Sequence, residues 1–203
     1  MKFLNSIAVT GILALVLSSC NVNTPDQPIV EEKIPETEIS CALSPVPAGE
    51  NIVLMQVITG CIVIELLPNL APNHVARIKQ LVQNKFYDGI VFHRVIGGFM
   101  AQTGDPTGTG RGGSEFPDLE AEFSTTPFKR GILGMARSQS PDSANSQFFI
   151  MFAPGEFLNG KYTVFAKVVS GMEHVDRIKK GDSANNGSVK DPDKIISMQM
   201  SSK

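Results

Sequence analysis

The run Phe92-His93-Arg94-Val95-Ile96-Gly97-Gly98-Phe99-Met100-Ala101-Gln102 constrains this chain more than any other segment. It reads as a strand, a glycine reversal and a second strand. Strand side chains alternate between faces, so Phe92, Arg94 and Ile96 are expected on one face and His93 and Val95 on the other. Beyond Gly97-Gly98, Met100 and Gln102 share a face in the same way. The segment Ser146-Gln147-Phe148-Phe149-Ile150 repeats the device, with Gln147 and Phe149 on one side. Together they offer one fixed cation, two amides and an apolar floor, with no nucleophile–base pair. Such a surface suits a substrate that is bound and twisted, not cut.

The rest of the chain agrees with a strand-rich domain. Eighteen glycines and thirteen prolines interrupt short apolar runs, which favours strands and loops over helices. Residues 51–57 and 60–66 read as a hairpin. Ala71 to Lys85 reads as a helix, with Pro72 in its first turn and Val75, Ile78, Leu81 and Val82 at helical spacing. A second, shorter helix is expected from Met172 to Lys180, stopped by Gly181, and a closing strand from Lys194 to Met200. This balance points to a closed antiparallel barrel.

Other chemistries are excluded on spacing. A formal charge of −2 over 203 residues offers no basic excess for a phosphate backbone, so no nucleic-acid partner is expected. Gly108-Thr109-Gly110-Arg111-Gly112-Gly113 matches a dinucleotide fingerprint literally, but Pro117 follows where the helix would have to run. His74, His93 and His174 are scattered and lack metal-site spacing, so no metal is expected. His93 is read as structural, packed towards the barrel interior. Ser146 has no evident base and no nucleophile elbow.

Five segments carry a resemblance: Phe92 to Ile96, Gly98 to Gln102, Gly131-Ile132-Leu133-Gly134-Met135-Ala136-Arg137, Ser146 to Ile150 and Val164-Phe165-Ala166-Lys167-Val168. In this order they resemble the cyclophilin-type peptidyl-prolyl cis-trans isomerases over about Asn51 to Gln199, and the run from Met135 to Ala144 resembles the bacterial branch. The resemblance implies a closed eight-stranded β-barrel capped by two α-helices and an isomerase that needs no cofactor. It gives Arg94 the catalytic role. Phe99, Met100, Phe149 and Leu158 would hold the proline ring, bordered by Phe157 and Tyr162. Gln102 and the backbone around Arg137 would hold peptide carbonyls, and Gln147 completes the substrate-binding set. Thr103 stands where a glycine is commoner, and Gly97 where a proline is usual.

The implied partners are unfolded or flexible proline-containing polypeptides, met by a monomer. Cyclosporin binding should be weak, because a chain with no tryptophan has only an apolar ring at Phe157. No pocket residue is expected to change charge between pH 6 and 8. A second reading remains, a proline-binding or chaperone module with little turnover; an intact Arg94 argues against it.

The N-terminus reads as an address. Lys2 precedes an apolar core from Ile7 to Leu17, too short for an ordinary spanning helix. Leu17-Ser18-Ser19-Cys20 resembles the lipobox of bacterial lipoproteins, in which the cysteine is acylated and becomes the first mature residue. The alternatives are a plain signal peptide with a chance cysteine, or a spanning anchor. With Asn21 after the cysteine, the expected destination is the outer membrane, facing the periplasm. Residues 1–19 are then the leader, 20–50 a Pro- and Glu-rich tether, and 51–201 the catalytic domain. Export leaves Cys41 and Cys61 in an oxidising compartment. They either close a disulfide, worth about 3 kcal/mol by loop entropy, or stand as a free thiol and a small buried strand residue. If the lipobox reading holds, Cys20→Ser abolishes palmitate labelling and moves the protein from the membrane to the soluble fraction; an unlabelled wild type rejects it.

Overall fold

The computed structural model describes Cys41 and residues 49–201; Cys20, the leader and most of the tether lie outside the described residues. Eight strands pair in one antiparallel sheet: β1 (Ile52–Val57), β2 (Gly60–Leu66), β3 (Arg94–Ile96), β4 (Met100–Thr103), β5 (Ile132–Met135), β6 (Phe148–Met151), β7 (Val164–Ser170) and β8 (Ile195–Met200). Their order is β3-β4-β6-β5-β7-β2-β1-β8. One face of this curled sheet buries Met55, Ile62, Ile64, Val95, Ala101, Leu133, Ile150 and Ala166 in a continuous core. Helix α1 (Pro72–Gln83) turns Val75, Ile78, Leu81 and Val82 inward, as its spacing predicts, and buries His74 beside them.

The continuous closed ladder expected of a barrel is not what the structure records. Regular pairing stops at β3 and β8, and only the residues just before them, Val91 and Lys194, form an isolated bridge. The cause lies at the edge of β3. Val95 donates its N–H to Gly187 O and accepts from Gly181 N–H, each at 2.8 Å. The segment 181–189 thus takes the main-chain groups through which β3 would have paired.

Two expectations are corrected locally. Phe92 does not share the face of Arg94: the strand begins only at Arg94, and Phe92 is fully buried in the same core as Val95. Its N–H goes to Asp193 O at 2.8 Å, so irregular backbone at Phe92 and His93 breaks the alternation. Helix α2 (Met172–Arg177) is shorter than expected. Ile178 turns extended, and Lys179 N–H leaves the helix to donate to Asp193 Oδ2 at 2.8 Å.

Cys41, placed by sequence in the tether, is buried with Ile52, Leu54 and Val63. It is joined by a disulfide to Cys61 of β2, with 5.1 Å between Cα atoms.

On the other face, the outer wall rests on an absent side chain. Gly134 of β5 lies under the stacked rings of Phe128 and Phe149, whose centroids are 5.7 Å apart. A Cβ there would stand 2.5 Å from Phe149 Cζ and 2.6 Å from Phe128 Cε1. Gly134→Ala should therefore overpack this wall at a cost of ~1–3 kcal/mol. Thermal unfolding would register it as a fall of several degrees, at roughly 2–4 °C per kcal/mol for a domain of this size; an unchanged midpoint would show that the rings can yield.

Candidate active site

Register assembles the site. Arg94 pairs with Gln102 across β3 and β4, Gln102 with Phe149 across β4 and β6, and Phe149 with Gly134 across β6 and β5. Directly opposed residues share a face, so these four form one row on the outer wall. The next row on that face is Ile96, Met100 and Met151. The row between them, Val95, Ala101, Ile150 and Leu133, points into the core.

A hollow of about 250 Å³ opens on this wall, lined by Arg94, Phe99, Met100, Gln102, Ala136, Arg137, Phe149, Phe157, Leu158 and Tyr162. Every site residue expected from sequence is there except Gln147, which lines an adjoining hollow of about 520 Å³ with Gln102, Arg137 and the glycine loop. Met100, Phe149 and Leu158 form a buried floor. Phe157 stands on a 3₁₀ turn (Glu156–Leu158) and is 63% exposed, its ring centroid 5.4 Å from that of Phe99. Tyr162 meets Phe149 edge-on at 5.9 Å. Ala136 is the lining residue that sequence reasoning did not single out.

The polar groups form a chain. Arg94 Nη1–H donates to Gln102 Oε1 at 3.1 Å, Gln102 Nε2–H to Gln147 Oε1 at 2.9 Å, and Gln147 Nε2–H to Gly112 O at 2.8 Å. Each amide accepts on one side and donates on the other, so one arginine sets the direction of the whole chain. Arg94 Nε–H and Nη2–H donate to the main-chain O and Oδ1 of Asn186, both at 3.0 Å. Sequence reasoning missed Asn186 because it lies 92 residues from Arg94 and belongs to no periodic element; Asn186-Gly187 alone signalled a turn. Of the five N–H groups of the guanidinium, one on Nη1 and one on Nη2 have no partner among the described residues. Burial lowers the Arg94 pKa and Tyr162 opposes the shift, from a starting value of 12.5 that leaves the group charged at neutral pH.

The Arg137 side chain is tied down at the edge of the hollow. Its guanidinium lies 4.4 Å from the Tyr162 ring centroid and donates to the carbonyls of Lys161, Ser138 and Gln139. It binds the loop after β5 to the loop before β7.

The glycine loop is tied down, not loose as its composition suggests. Asp105 accepts Thr107 N–H and Thr107 Oγ1–H at 2.8 Å and Gly110 N–H at 2.6 Å. Burial alone would raise this carboxyl, but bonds from Thr107, Gly112 and Gly110 outweigh it and bring the pKa to about 2. His93 is buried. It packs beneath Gly110, where an added Cβ would be 3.4 Å from the His93 ring. Burial lowers its pKa, with Asp105 raising it and Arg94 lowering it further, so the ring is harder to protonate than a free imidazole.

Several singled-out residues prove structural. Ser146 Oγ–H donates to Gly104 O at 2.8 Å, and Ser146 O accepts the buried Tyr87 hydroxyl at 2.9 Å. Thr103 Oγ1–H donates to Val91 O at 3.0 Å, a bond a glycine could not make. His74 Nδ1–H donates to Glu122 Oε2 at 2.6 Å, and the same carboxylate accepts the N–H groups of Asn73 and His74 at the start of α1. Among the described residues no cluster of His, Cys, Asp and Glu could hold a metal ion.

Comparison with known proteins agrees with this geometry. Residues 52–200 match the model of the family described as cyclophilin type peptidyl-prolyl cis-trans isomerase/CLD. A probable peptidyl-prolyl cis-trans isomerase of Brucella suis is 60% identical over 158 residues, covering 72% of this chain and 81% of the relative. The crystal structure of a Cryptosporidium parvum cyclophilin type peptidyl-prolyl cis-trans isomerase, in the presence of the dipeptide Ala-Pro, superposes with a TM-score of 0.68. It is 29% identical and the match covers 75% of this chain and 99% of that one. A cyclophilin crystal structure from Hirschia baltica gives a TM-score of 0.65 at 26% identity, covering 74% of each chain. With the family model spanning the whole sheet and the hollow on its outer wall, this chain belongs to the cyclophilin-type peptidyl-prolyl cis-trans isomerases.

Proposed function

We propose that Arg94 drives the isomerisation by bonding the prolyl nitrogen of a twisted X-Pro amide. In the planar ground state that nitrogen shares its lone pair with the carbonyl, and rotation meets a barrier of about 20 kcal/mol. Twisting breaks the conjugation and returns a basic lone pair to nitrogen. A guanidinium N–H aimed there bonds the twisted amide better than the planar one, which is differential binding of the transition state. The observation that carries this reading is the row Arg94–Gln102–Phe149, which sets two N–H groups without a partner among the described residues beside a hollow floored by Met100, Phe149 and Leu158.

In this reading the proline ring rests on that floor, with Phe157 and Tyr162 at its border. Gln102, Gln147 and the backbone around Arg137 hold the flanking peptide. The substrates are unfolded or flexible polypeptides of the bacterial envelope. Acylated Cys20 anchors a monomer to the outer membrane, and residues 20–50 carry the domain into the periplasm.

Arg94→Ala should lower kcat/KM by about a hundredfold or more, since losing one such donor costs roughly 3–4 kcal/mol, with the fold retained. The wild-type rate should be flat from pH 6 to 8, because Arg94 stays charged and His93 does not line the hollow. A protease-coupled or refolding isomerisation assay reads both; near-wild-type turnover in the variant removes Arg94 from its role.

Cyclosporin should inhibit weakly, because Phe157 has no N–H to offer it. A lost buried hydrogen bond typically costs about 1–3 kcal/mol, so Phe157→Trp should tighten inhibition by about tenfold. Tight inhibition of the wild type would remove Phe157 from that position.

A further inference from the structure

We infer that Asn186 is a positioning residue for this isomerase, holding the Arg94 guanidinium in its working orientation before any substrate binds. The inference rests on the assignment of Arg94 as the catalytic cation. Arg94 is a long side chain on an edge strand of three residues, and a single bond to Gln102 would leave it free to swing about that contact. Asn186 supplies two more acceptors in a fork, its main-chain O to Nε–H and its Oδ1 to Nη2–H. Three bonds from two sides define the plane of the guanidinium, and with it the direction of the remaining N–H groups.

The loop that carries Asn186 is built to keep it there. Gly187 O and Gly181 N–H are bonded to Val95, and Val189 N–H donates to His93 O at 3.2 Å, so the loop is laced to β3 on both sides of Arg94. Within the loop, Gly187 N–H donates to Asp182 O and Asp182 N–H to Ser188 O. The Asp182 side chain caps the 3₁₀ turn Ser183–Asn185 through Ala184 N–H at 2.9 Å. Asn186 itself is left-handed, at φ 52° and ψ 29°, a conformation that asparagine tolerates better than most residues. Gly187 follows at φ 78°, where a Cβ would collide with Ile96 Cγ1. Edge protection alone would use the main-chain bonds to Val95; it gives no reason for a side-chain oxygen aimed at Nη2.

Both acceptors on Asn186, and that on Gln102, are neutral oxygens. Among the described residues Arg94 takes part in no salt bridge. The guanidinium is oriented without a neighbouring carboxylate to quench it, which leaves its field directed at the hollow.

The test is a double-mutant cycle on the full chain, comparing wild type, Asn186→Gly, Arg94→Ala and the double variant in a steady-state isomerisation assay. Glycine keeps the left-handed backbone and its carbonyl but loses Oδ1. Asn186→Gly is expected to lower kcat about five- to twentyfold with KM within twofold. In the Arg94→Ala background the same change should cost less than twofold, because its effect passes through Arg94. A kcat within twofold of wild type, or an equal loss in both backgrounds, overturns the proposal. Near-wild-type turnover in Arg94→Ala would instead remove the assignment on which the proposal rests. Should Asn186→Gly not fold, the wild type alone decides: the Arg94 Nε–H should show a backbone-like NMR order parameter in the free enzyme, and a mobile guanidinium overturns the inference.

Discussion

The antiparallel register of β3, β4, β6 and β5 is the constraint on which the rest of the molecule depends. The same ladder lines the core on one side with Val95, Ala101, Ile150 and Leu133, and the outer wall on the other with Arg94, Gln102, Phe149 and Gly134. A slip of one residue would exchange the two faces, driving a guanidinium and an amide into the core and exposing its apolar row. Burying the core therefore fixes the site as well. This is why four residues from three separate stretches of the chain meet in one line.

That line has little freedom of its own. Gly134 must be small because Phe128 and Phe149 fill the space above it, and Phe149 in turn forms the floor of the hollow. The ends of the polar chain are held by loops that composition alone would describe as mobile. Asp105 gathers the glycine loop by accepting several N–H and O–H groups at once, and residues 181–189 bind the edge of β3. Rigid donors cost less reorganisation at the moment of reaction than donors that must first be ordered. Catalysis of a rotation, which makes and breaks no covalent bond, has few other means at its disposal.

The loop at 181–189 also accounts for the shape of the sheet. Its main-chain groups occupy the edge that would otherwise complete the ladder between β3 and β8. A covered edge cannot recruit a strand from another chain, which matters for a protein whose proposed substrates are unfolded polypeptides. The Cys41–Cys61 disulfide fixes Cys41 beside Ile52, Leu54 and Val63.

Alternation and helical spacing in the sequence alone determined the hairpin, α1 and the group Arg94, Gln102, Met100 and Phe149. These patterns are local, because side-chain direction follows from the period of the element that carries it. Phe92 marks where that logic stops: alternation placed it beside Arg94, but long-range backbone bonds at Phe92 and His93 end the strand and turn the ring into the core. Asn186, Asp105 as the hub of the glycine loop, the anchoring of Arg137 on the carbonyls of Lys161, Ser138 and Gln139 and the open ladder at β3 were decided only in three dimensions. Each depends on which main-chain groups remain unpaired once the sheet has formed, and on what a loop tens of residues away brings to them. Those pairings satisfy hydrogen-bonding groups, not hydrophobic periodicity, and so leave no period in the sequence to read.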